Sequence, residues 1–350
     1  RLRRVGYLFQ NYALFPNMTV LQNIASGIQK PKEERKRIAE EKIKAFYLEH
    51  LDQARIKGHQ LLAPCPFCSG KNKEQPGTLV VHINPESYFA GYFRCLARCV
   101  AGGFHFHFAR LLAIDPVSVP GFDADDDEDD VLPDVHYPAR HLQTDIDQYA
   151  ALMTAEQMDY FNQFGVSRQT LKEMKIGFNG RYLIHPYFQE NGLAYSARCL
   201  LPGRAEDFFW HGNADFAVEP FKIYNVPEIR RCQGGALVIT DGELNLLILK
   251  ELGYPAIAVP ATGDLAAIQT GRLSRIKHIF LLVTQSPEAR QSARELAVRL
   301  GFKARILLWP PHIKRGEHLS RLASDPAVDT ANSLALMIKQ SRCFSPFTSP

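Results

Sequence analysis

The hydrophobic pattern is clearest in the second half of the chain, where continuous apolar runs alternate with segments of helical pattern. Strands are predicted within residues 236–243, 253–260, 278–283 and 304–308, and helices over 244–252 and 287–300. Strands that are apolar at successive positions are typical of a parallel sheet covered on both faces, with helices as the crossovers. The pattern therefore predicts an α/β fold for this half.

The pattern before residue 236 changes character several times. Helices are predicted over 148–164 and 167–174, and short strands within 176–187. Nearer the start we predict a strand over 5–9, helices over 20–28 and 33–51, strands over 79–83 and 92–95, and an aromatic-rich helix after a glycine turn. The predicted segments are an α-rich fragment over 1–52, a small β unit over 55–114, a linker over 115–144, two parts of a core over 145–235 and 236–325, and a tail over 326–350.

The composition of the 350-residue chain is ordinary for a protein of two or three domains, with 46% hydrophobic and 22% charged residues. It contains no run of about 18 apolar residues and does not begin like a signal peptide, so neither a membrane span nor secretion is predicted. Four of the seven cysteines lie in close pairs, which fits metal ligation in a reducing compartment better than a disulfide framework. A cytoplasmic protein is expected.

Charge is segregated along the chain, although the formal net charge is only +4. Residues 121–134 contain eight acidic residues and no Lys or Arg, which predicts an extended linker because like charges repel and bury little apolar surface. Residues 271–322 contain eleven Lys or Arg and three acidic residues. That block favours either a surface that binds a phosphate backbone or an ordinary solvated helix surface.

The paired cysteines form the strongest chemical motif. Cys65-Pro-Phe-Cys68 and Cys95-Leu-Ala-Arg-Cys99 are separated by 26 residues. Each pair can hold one side of a tetrahedral Zn²⁺, and four thiolates leave no position for a substrate, so a structural site is predicted. The alternative is four unrelated thiols.

These pairs, together with Gly102-Gly103 and the aromatic helix that follows, resemble the zinc ribbon of bacterial and phage-type DNA primases. Within that resemblance, His105 and His107 are either spare ligands or template contacts, or they pack beside the aromatic residues.

The strand-turn-helix unit at 236–252 and the strands after it resemble a Toprim domain, which primases, topoisomerases and some nucleases share. Members of that family carry a Glu-Gly pair and a later Asp, matched here by Asp241, Gly242 and Asn245. The resemblance implies metal or proton-transfer roles for Asp241 and for the neighbouring Glu243. A solvated turn is the alternative.

The third strand of a Toprim domain normally ends in Asp-x-Asp, which binds Mg²⁺ or Mn²⁺, but Thr284-Gln285-Ser286 stands here. Each lost carboxylate removes a contact of roughly 4 kcal/mol at about 4 Å and an effective dielectric constant of about 20. Weak binding of the cation is therefore expected.

The segments 193–203 and 220–228 resemble the basic subdomain of primases. The resemblance implies that Arg198, Lys222 and Asn225 contact template and nucleotide phosphates, as their side-chain chemistry allows. Taken singly, each is equally compatible with an ordinary surface position.

The stretch from Leu8 to Ile24 resembles the Q-loop region of ABC-transporter ATPases, with Gln10 at the position of the conserved glutamine of that family. No Gly-x-x-x-x-Gly-Lys-Ser/Thr loop occurs in the chain, so nucleotide binding by this segment has no physical basis. We interpret it as a truncated relic, and an ABC membrane subunit is not an expected partner.

The resemblances together predict a primase-like protein that binds single-stranded DNA, with template-directed primer synthesis if it is catalytically active. A separate helicase would have to unwind the template, because no helicase phosphate loop follows. The main alternative is a non-catalytic replication accessory that binds zinc and DNA, and the second is an ABC ATPase remnant.

Overall fold

The structure is a computed structural model that describes residues 32–68, 77–84, 87–100, 102–115, 118–120, 135, 137–218, 221–311, 313–314 and 316–345. The strand and helix predicted over 5–9 and 20–28 and most of the acidic linker lie outside these residues. The chain divides into two compact units, residues 1–132 with 345–350 and residues 133–344. The finer division into six segments stays a prediction.

The first unit is a small antiparallel sheet flanked by two helices. Its strands lie in the order β1-β2-β3-β4. The elements are α1 (Lys32–His50), β1 (Arg55–Lys57), β2 (Gln60–Pro64), β3 (Thr78–His82), β4 (Phe93–Cys95) and α2 (His105–Leu111).

Helix α1 shares its core with the sheet. Phe46 and Tyr47 pack edge to face against Phe108 of α2, with ring centroids 6.2 and 4.9 Å apart. The hydroxyl of Tyr47 donates to the carbonyl oxygen of Gly91 at 2.7 Å. Ile43 is also buried in this cluster. The helix therefore supplies part of the apolar surface that the short strands need, because four strands of three to five residues bury little by themselves.

The second unit combines an antiparallel sheet, β5 to β8, with a parallel sheet in the order β10-β9-β11-β12. Its first elements are α3 (Gln143–Ala151), α4 (Ala155–Asn162), α5 (Arg168–Glu173), β5 (Gly177–Phe178), β6 (Leu183–Phe188), β7 (Ala194–Leu201), β8 (Arg204–Gly212) and α6 (Pro227–Arg231). The parallel part consists of β9 (Ala236–Asp241), α7 (Glu243–Glu251), β10 (Ala256–Val259), β11 (His278–Leu282), α8 (Pro287–Leu300), β12 (Ala304–Ile306), α9 (Leu319–Ala323) and α10 (Thr330–Gln340).

The single helix predicted over 148–164 is wrong, because α3 ends at Ala151 and α4 begins at Ala155. Thr154 starts α4 as its N-cap, and its backbone N–H donates to the side-chain oxygen of Gln157 at 3.3 Å. Thr-x-x-Gln is a capping-box sequence, so the break has a local signal that the hydrophobic pattern alone does not show.

The predicted α/β class is confirmed, and the parallel sheet is covered on both faces. Leu246 of α7 packs in one apolar cluster with Val238, whereas Leu296 of α8 packs in another with Ile239. Val238 and Ile239 are neighbours on β9 and point to opposite faces. The strand order reverses beside β9, since β10 follows it on one side and β11 pairs on the other. In open α/β sheets, the crevice at such a reversal, beyond the carboxyl ends of the strands, is where ligands bind.

One face of the antiparallel sheet packs into the same core as the parallel sheet. Tyr187 of β6 contacts Tyr224, with ring centroids 5.1 Å apart, and Trp210 of β8 at 4.8 Å. Tyr224 also exchanges backbone hydrogen bonds with Ala258 of β10. This bridge covers one edge of the parallel sheet.

The other edge of the parallel sheet is β12, which has only three residues. The backbone N–H of Phe344 donates to the carbonyl oxygen of Ala304 at 2.8 Å, and its ring packs against the core of the α8 face. Among the described helices, none is both long and apolar enough to cross a bilayer.

Candidate metal centre and candidate nucleic-acid interface

The two cysteine pairs meet at one edge of the first unit's sheet. Strands β2 and β4 are both antiparallel to β3, so they run in the same direction and end at the same edge. Cys65 follows the last residue of β2, and Cys95 is the last residue of β4. Tight turns then bring in the second cysteine of each pair: the N–H of Cys68 donates to Cys65 O at 3.3 Å, and the N–H of Arg98 donates to Cys95 O at 3.0 Å.

The four sulfur atoms have the spacing of a tetrahedral metal site. All four Sγ atoms lie within 4.8 Å of one another, and the pairs Cys65–Cys99 and Cys68–Cys95 are each 3.6 Å apart. Tetrahedral zinc with Zn–S bonds of about 2.3 Å places its sulfurs about 3.8 Å apart. The cluster can therefore bind a zinc ion with little rearrangement, as the spacing in the sequence predicts.

The thiols influence each other's protonation. Burial raises the pKa of Cys65 far above its ordinary value, and burial with neighbouring thiols raises the pKa of Cys99 to about 11. Burial also acts to raise the pKa of Cys95, but hydrogen bonds from the Cys99 backbone and from the other thiols outweigh it and lower that pKa to about 7. A divalent cation stabilises all four thiolates, so its binding releases protons.

Gly77 is also part of this site, although the spacing of the cysteines in the sequence does not indicate it. Its carbonyl oxygen accepts a hydrogen bond from the N–H of Cys65 at 2.7 Å. A Cβ at this position would lie 2.7 Å from the Cβ of Ala97 and 3.2 Å from the sulfur of Cys68. Only glycine lets the strand approach the cysteines this closely.

The two histidines of α2 pack inside the first unit. Of the roles considered from the sequence, this is packing beside aromatic residues. His105 is buried and its Nε2 donates to the carbonyl oxygen of Pro120 at 2.9 Å, while burial lowers its pKa to about 4. His107 stacks on Phe93 at 5.8 Å. Neither belongs to the group of four potential ligands.

Asp241 lies at the carboxyl end of β9, beside the reversal of strand order, and its side chain is engaged by Thr284. The Thr284 hydroxyl donates to Oδ2 at 2.6 Å, and its backbone N–H donates to Oδ1 and Oδ2 at 3.1 and 3.2 Å. Ser286 is the N-cap of α8, where its hydroxyl accepts from the N–H of Ala289 at 3.0 Å. The two positions at which the resemblance expects aspartates therefore hold a carboxylate partner and a helix cap.

Glu243 begins α7 and forms a buried ion pair. Nη1 of Arg198 lies 3.0 Å from both carboxylate oxygens, and the hydroxyl of Tyr187 donates to Oε1 at 2.6 Å. Arg198 also donates to the carbonyl oxygen of Pro260 at 3.3 Å and lies 4.2 Å above the ring of Phe208. The structure thus brings two predicted site residues into direct contact, and the predicted phosphate contact of Arg198 would require this pair to open.

Several buried polar groups around this pair lack a protein hydrogen-bond partner. They are Nδ1 of His185, Nε of Arg198, the hydroxyl of Tyr224 and the hydroxyl of Thr240. Burial lowers the pKa of His185 to about 4, Glu243 acts in the opposite direction, and Arg198 lowers it further. His185 is therefore neutral at pH 7, and a proton there would sit beside the Arg198 cation.

The remaining predicted site residues are held by other contacts. Nζ of Lys222 lies 3.4 Å from Asp264, with the Lys222 side chain 27% exposed. Asn225 is buried in the left-handed backbone region, φ 65°, and its side-chain amide donates to the carbonyl oxygen of Ala256 at 2.9 Å. The side-chain amide of Asn245 donates to the backbone oxygen of Asp241 at 2.6 Å. The binding and catalytic roles predicted for these residues stay predictions.

Part of the basic block is structural. Arg299 donates to the carbonyl oxygens of Ile268 and Leu265, both at 2.9 Å. Lys303 donates to the carbonyl oxygen of Leu273 at 3.0 Å, and burial lowers its pKa. These half-buried donors hold the segment between β10 and β11 and are already engaged by its carbonyl oxygens.

The residues that the structure describes contain one cluster of three or more potential metal ligands, the four cysteines. Asp241 and Glu243 do not form a second such cluster with other acidic, histidine or cysteine side chains of the described ranges. The first unit thus holds four cysteines that could bind zinc, and the second unit separately holds a carboxylate edge that is engaged by Thr284 and Arg198.

Comparison with curated proteins finds short matches to ABC-transporter ATPases, while no family model matches. The chain is 44% identical over 61 residues to the putrescine transport ATP-binding protein PotG of Escherichia coli K12, covering 17% of this chain and 16% of that protein. It is 34% identical over 84 residues to the sulfate/thiosulfate import ATP-binding protein CysA of Xanthomonas campestris, covering 24% of each. The chain spans less than a quarter of the length of these relatives, so the Q-loop resemblance is supported over a short segment only.

The solved structures that the chain resembles include DNA primases. The zinc-binding and RNA polymerase domains of Aquifex aeolicus primase match with 12% identity and a TM-score of 0.44, over 93% of this chain and 86% of that one. The primase fragment of the bacteriophage T7 primase-helicase matches with 15% identity and a TM-score of 0.41, over 79% and 97%. The DnaG catalytic core matches with 11% identity and a TM-score of 0.47, over 58% and 79%.

The purified protein is expected to contain about one zinc ion per chain by elemental analysis. Cys68→Ser removes one of four ligands and should lower the zinc content by more than half, because a three-ligand site is open to water and chelators. Cys343→Ser is the matched control, since Cys343 is exposed and outside the cluster. Equal zinc content in the two variants would contradict the assignment.

Acidification is expected to destabilise the second unit through His185. Its pKa is about 4 in the folded chain and about 6.5 when unfolded, so the unfolded state binds the proton better. The stability contribution is complete above pH 6.5 and falls as the pH drops towards 4, with about 2 kcal/mol lost at pH 5. Urea unfolding can be followed by tryptophan fluorescence, because Trp210 and Trp309 both lie in this unit.

The pH 7 to pH 5 difference should shrink in His185→Gln, whatever that substitution does to absolute stability. His141→Gln, at an exposed histidine of the same unit, should leave the difference unchanged. An unaltered pH dependence in His185→Gln would show that other groups cause the loss.

Proposed function

We propose that the chain is a primase-like nucleic-acid-binding protein whose α/β core no longer holds the divalent cation of primer synthesis. The proposal depends on the closed contact between Asp241 and Thr284, in which a hydroxyl and a backbone N–H donate to both carboxylate oxygens. In the family that the sequence resembles, carboxylates stand at the positions of Thr284 and Ser286. Their replacement turns a cation site into an internal hydrogen bond.

Cation binding at this edge has three obstacles. The Asp241–Thr284 contact would have to open, and Mg²⁺ would then meet one carboxylate where its usual sites offer more oxygen ligands. The second nearby carboxylate, Glu243, is already balanced by Arg198, which lies 3.0 Å away in a buried position. Freeing Glu243 would leave a buried guanidinium without its partner, which costs about 3–5 kcal/mol.

Nucleic-acid binding has its own support, which does not depend on a cation. The first unit exposes Arg55, Lys57 and Arg98 around its sheet. Tyr88 and Tyr92 are half-buried on the same small unit and pack edge to face against Phe104. Exposed cations neutralise phosphates and partly exposed aromatic rings stack with unpaired bases, so a single strand is the substrate class that fits.

The second unit adds exposed cations of the basic block. Arg275, Lys277 and Lys314 are exposed, unlike Arg299 and Lys303, which bind carbonyl oxygens. Single-stranded DNA is therefore the proposed partner. A separate helicase would have to unwind the template, because the sequence contains no helicase phosphate loop. We propose that the chain acts as a replication accessory.

Template-directed primer synthesis is the second candidate. It is favoured by the position of Asp241 and Glu243, which both lie at the carboxyl end of β9 beside the reversal of strand order, where α/β enzymes bind ligands. Residues 1–31, which carry the ABC-like stretch, lie outside the residues that the structure describes, and no activity is proposed for them.

Binding to single-stranded DNA is expected to depend on the exposed cations of the first unit. Arg55→Gln with Lys57→Gln should weaken binding of a fluorescent oligonucleotide and lower the slope of log K against log salt by about 0.7 for each lost phosphate contact. The matched control is Lys42→Gln with Lys44→Gln, which removes the same charge from exposed positions of α1. Equal slopes in the two double variants would exclude the β1 surface from the interface.

Restoring carboxylates is expected to restore cation binding. Thr284→Asp with Ser286→Asp should tighten binding of Mn²⁺, measured by electron paramagnetic resonance, by at least about tenfold over the natural chain. Aspartate is also a good N-cap, so α8 is retained. The control, Thr284→Asn with Ser286→Asn, has nearly the same shape without the charge. Primer synthesis by the natural chain that is abolished in Asp241→Asn would overturn the non-catalytic proposal and favour the second candidate.

A further inference from the structure

The antiparallel sheet of the second unit carries a cavity of about 460 Å³ on its other face. Arg198 and Trp210 point from β7 and β8 towards Glu243 and the shared core. His211, which lines the cavity, is next to Trp210 on β8 and so points to the opposite face, while Tyr195 lies at a register shift between β6 and β7, where the alternation of strand faces is interrupted. The cavity is thus separate from the carboxyl edge of the parallel sheet.

One end of the cavity is polar. Nε2 of His211 lies 3.2 Å from Oδ2 of Asp145, and the ring of Tyr149 packs edge to face against the imidazole at 5.9 Å. These contacts fix the imidazole. Arg140 also lines the cavity and is exposed, and no acidic partner for its guanidinium occurs among the described residues.

The rest of the lining is apolar and rigid. Tyr195 is buried, and its ring is held between Tyr137 at 5.3 Å and Phe216 at 4.8 Å. Gly212 has φ 101°, and a Cβ there would lie 2.5 Å from the Tyr195 carbonyl oxygen and 2.7 Å from Cδ1 of Leu142. Glycine therefore lets β8 close on Leu142, which forms the apolar wall.

We propose that this cavity binds a phosphorylated nucleoside. Its volume is within the range of small-molecule sites, and its lining passes from an exposed cation through hydrogen-bonding groups to an apolar wall. In this arrangement Arg140 binds the phosphate, and the Asp145–His211 pair exchanges hydrogen bonds with the sugar hydroxyls. Leu142 and Pro138 pack against the base.

Asn213 adds a donor at the polar end. Its side-chain oxygen accepts from the N–H of Asp215 at 2.9 Å, and its amide N–H₂ has no hydrogen-bond partner among the described residues. The source of the ligand is either a free nucleotide or the 5′-phosphorylated end of a strand, and both present the same chemistry. This site goes beyond the proposed DNA interface and does not depend on it.

Isothermal titration of the zinc-loaded full chain tests the proposal. AMP is expected to bind more tightly than adenosine, which lacks the phosphate, and than ribose 5-phosphate, which lacks the base. Arg140→Gln should weaken AMP binding by about tenfold or more, the size of a lost charge-assisted hydrogen bond. Arg168→Gln, at an exposed arginine of α5 outside the cavity, should bind AMP like the natural chain.

Three results would overturn the proposal: no AMP binding at millimolar concentrations, equal affinity of Arg140→Gln and the natural chain, or equal affinity for AMP and adenosine. A 5′-phosphorylated trinucleotide that competes with AMP identifies a strand end as the ligand, and one that does not compete identifies a free nucleotide. Affinity for a long single strand without a 5′-phosphate, measured in parallel, tests the proposed function separately, because Arg140→Gln is expected to leave it unchanged.

Discussion

The buried ion pair between Arg198 and Glu243 is the contact on which the second unit depends. It connects the middle of the antiparallel sheet to the first residue of the helix that follows β9, and Tyr187 completes it with a short hydrogen bond. A buried pair of this kind adds little net stability, but loss of one partner leaves a charge without solvent or counter-ion. The two sheets are therefore tied together at the place where an α/β core would otherwise open to a ligand.

At the carboxyl end of β9, the side chain that faces Asp241 determines which contacts this carboxylate can make. Asp241 ends β9 with a carboxylate, and both of its oxygens already accept hydrogen bonds from the backbone N–H or the hydroxyl of Thr284. In the first unit, four sulfurs lie within 4.8 Å of one another and Gly77 leaves the strand close to them. The first unit thus offers a ligand set that could bind zinc, whereas the carboxylate at the end of β9 is engaged in internal hydrogen bonds.

Features with a local cause could be predicted from the sequence. The strands of the parallel sheet follow from their continuous apolar runs and the four clustered cysteines from their spacing, whereas the capping-box sequence at Thr154 is a local signal that the prediction of one helix over 148–164 did not use. Contacts between distant segments could not be predicted, because no period or spacing encodes them. Arg198 and Glu243 are 45 residues apart, and Asp241 and Thr284 are 43 apart. In the sequence, an arginine such as Arg198 is as compatible with phosphate binding as with a buried ion pair. Only the packing of the folded chain decides between these two roles.

The short edge strand β12 has a consequence for how the chain behaves in solution. Its outer row of hydrogen-bonding groups is partly covered by the N–H of Phe344, which comes from beyond α10. Open strand edges invite pairing with other polypeptides and, from there, assembly into aggregates. The segment at Phe344 thus protects part of the sheet edge, and proteolysis between α10 and Phe344 would expose this edge to pairing with other polypeptides.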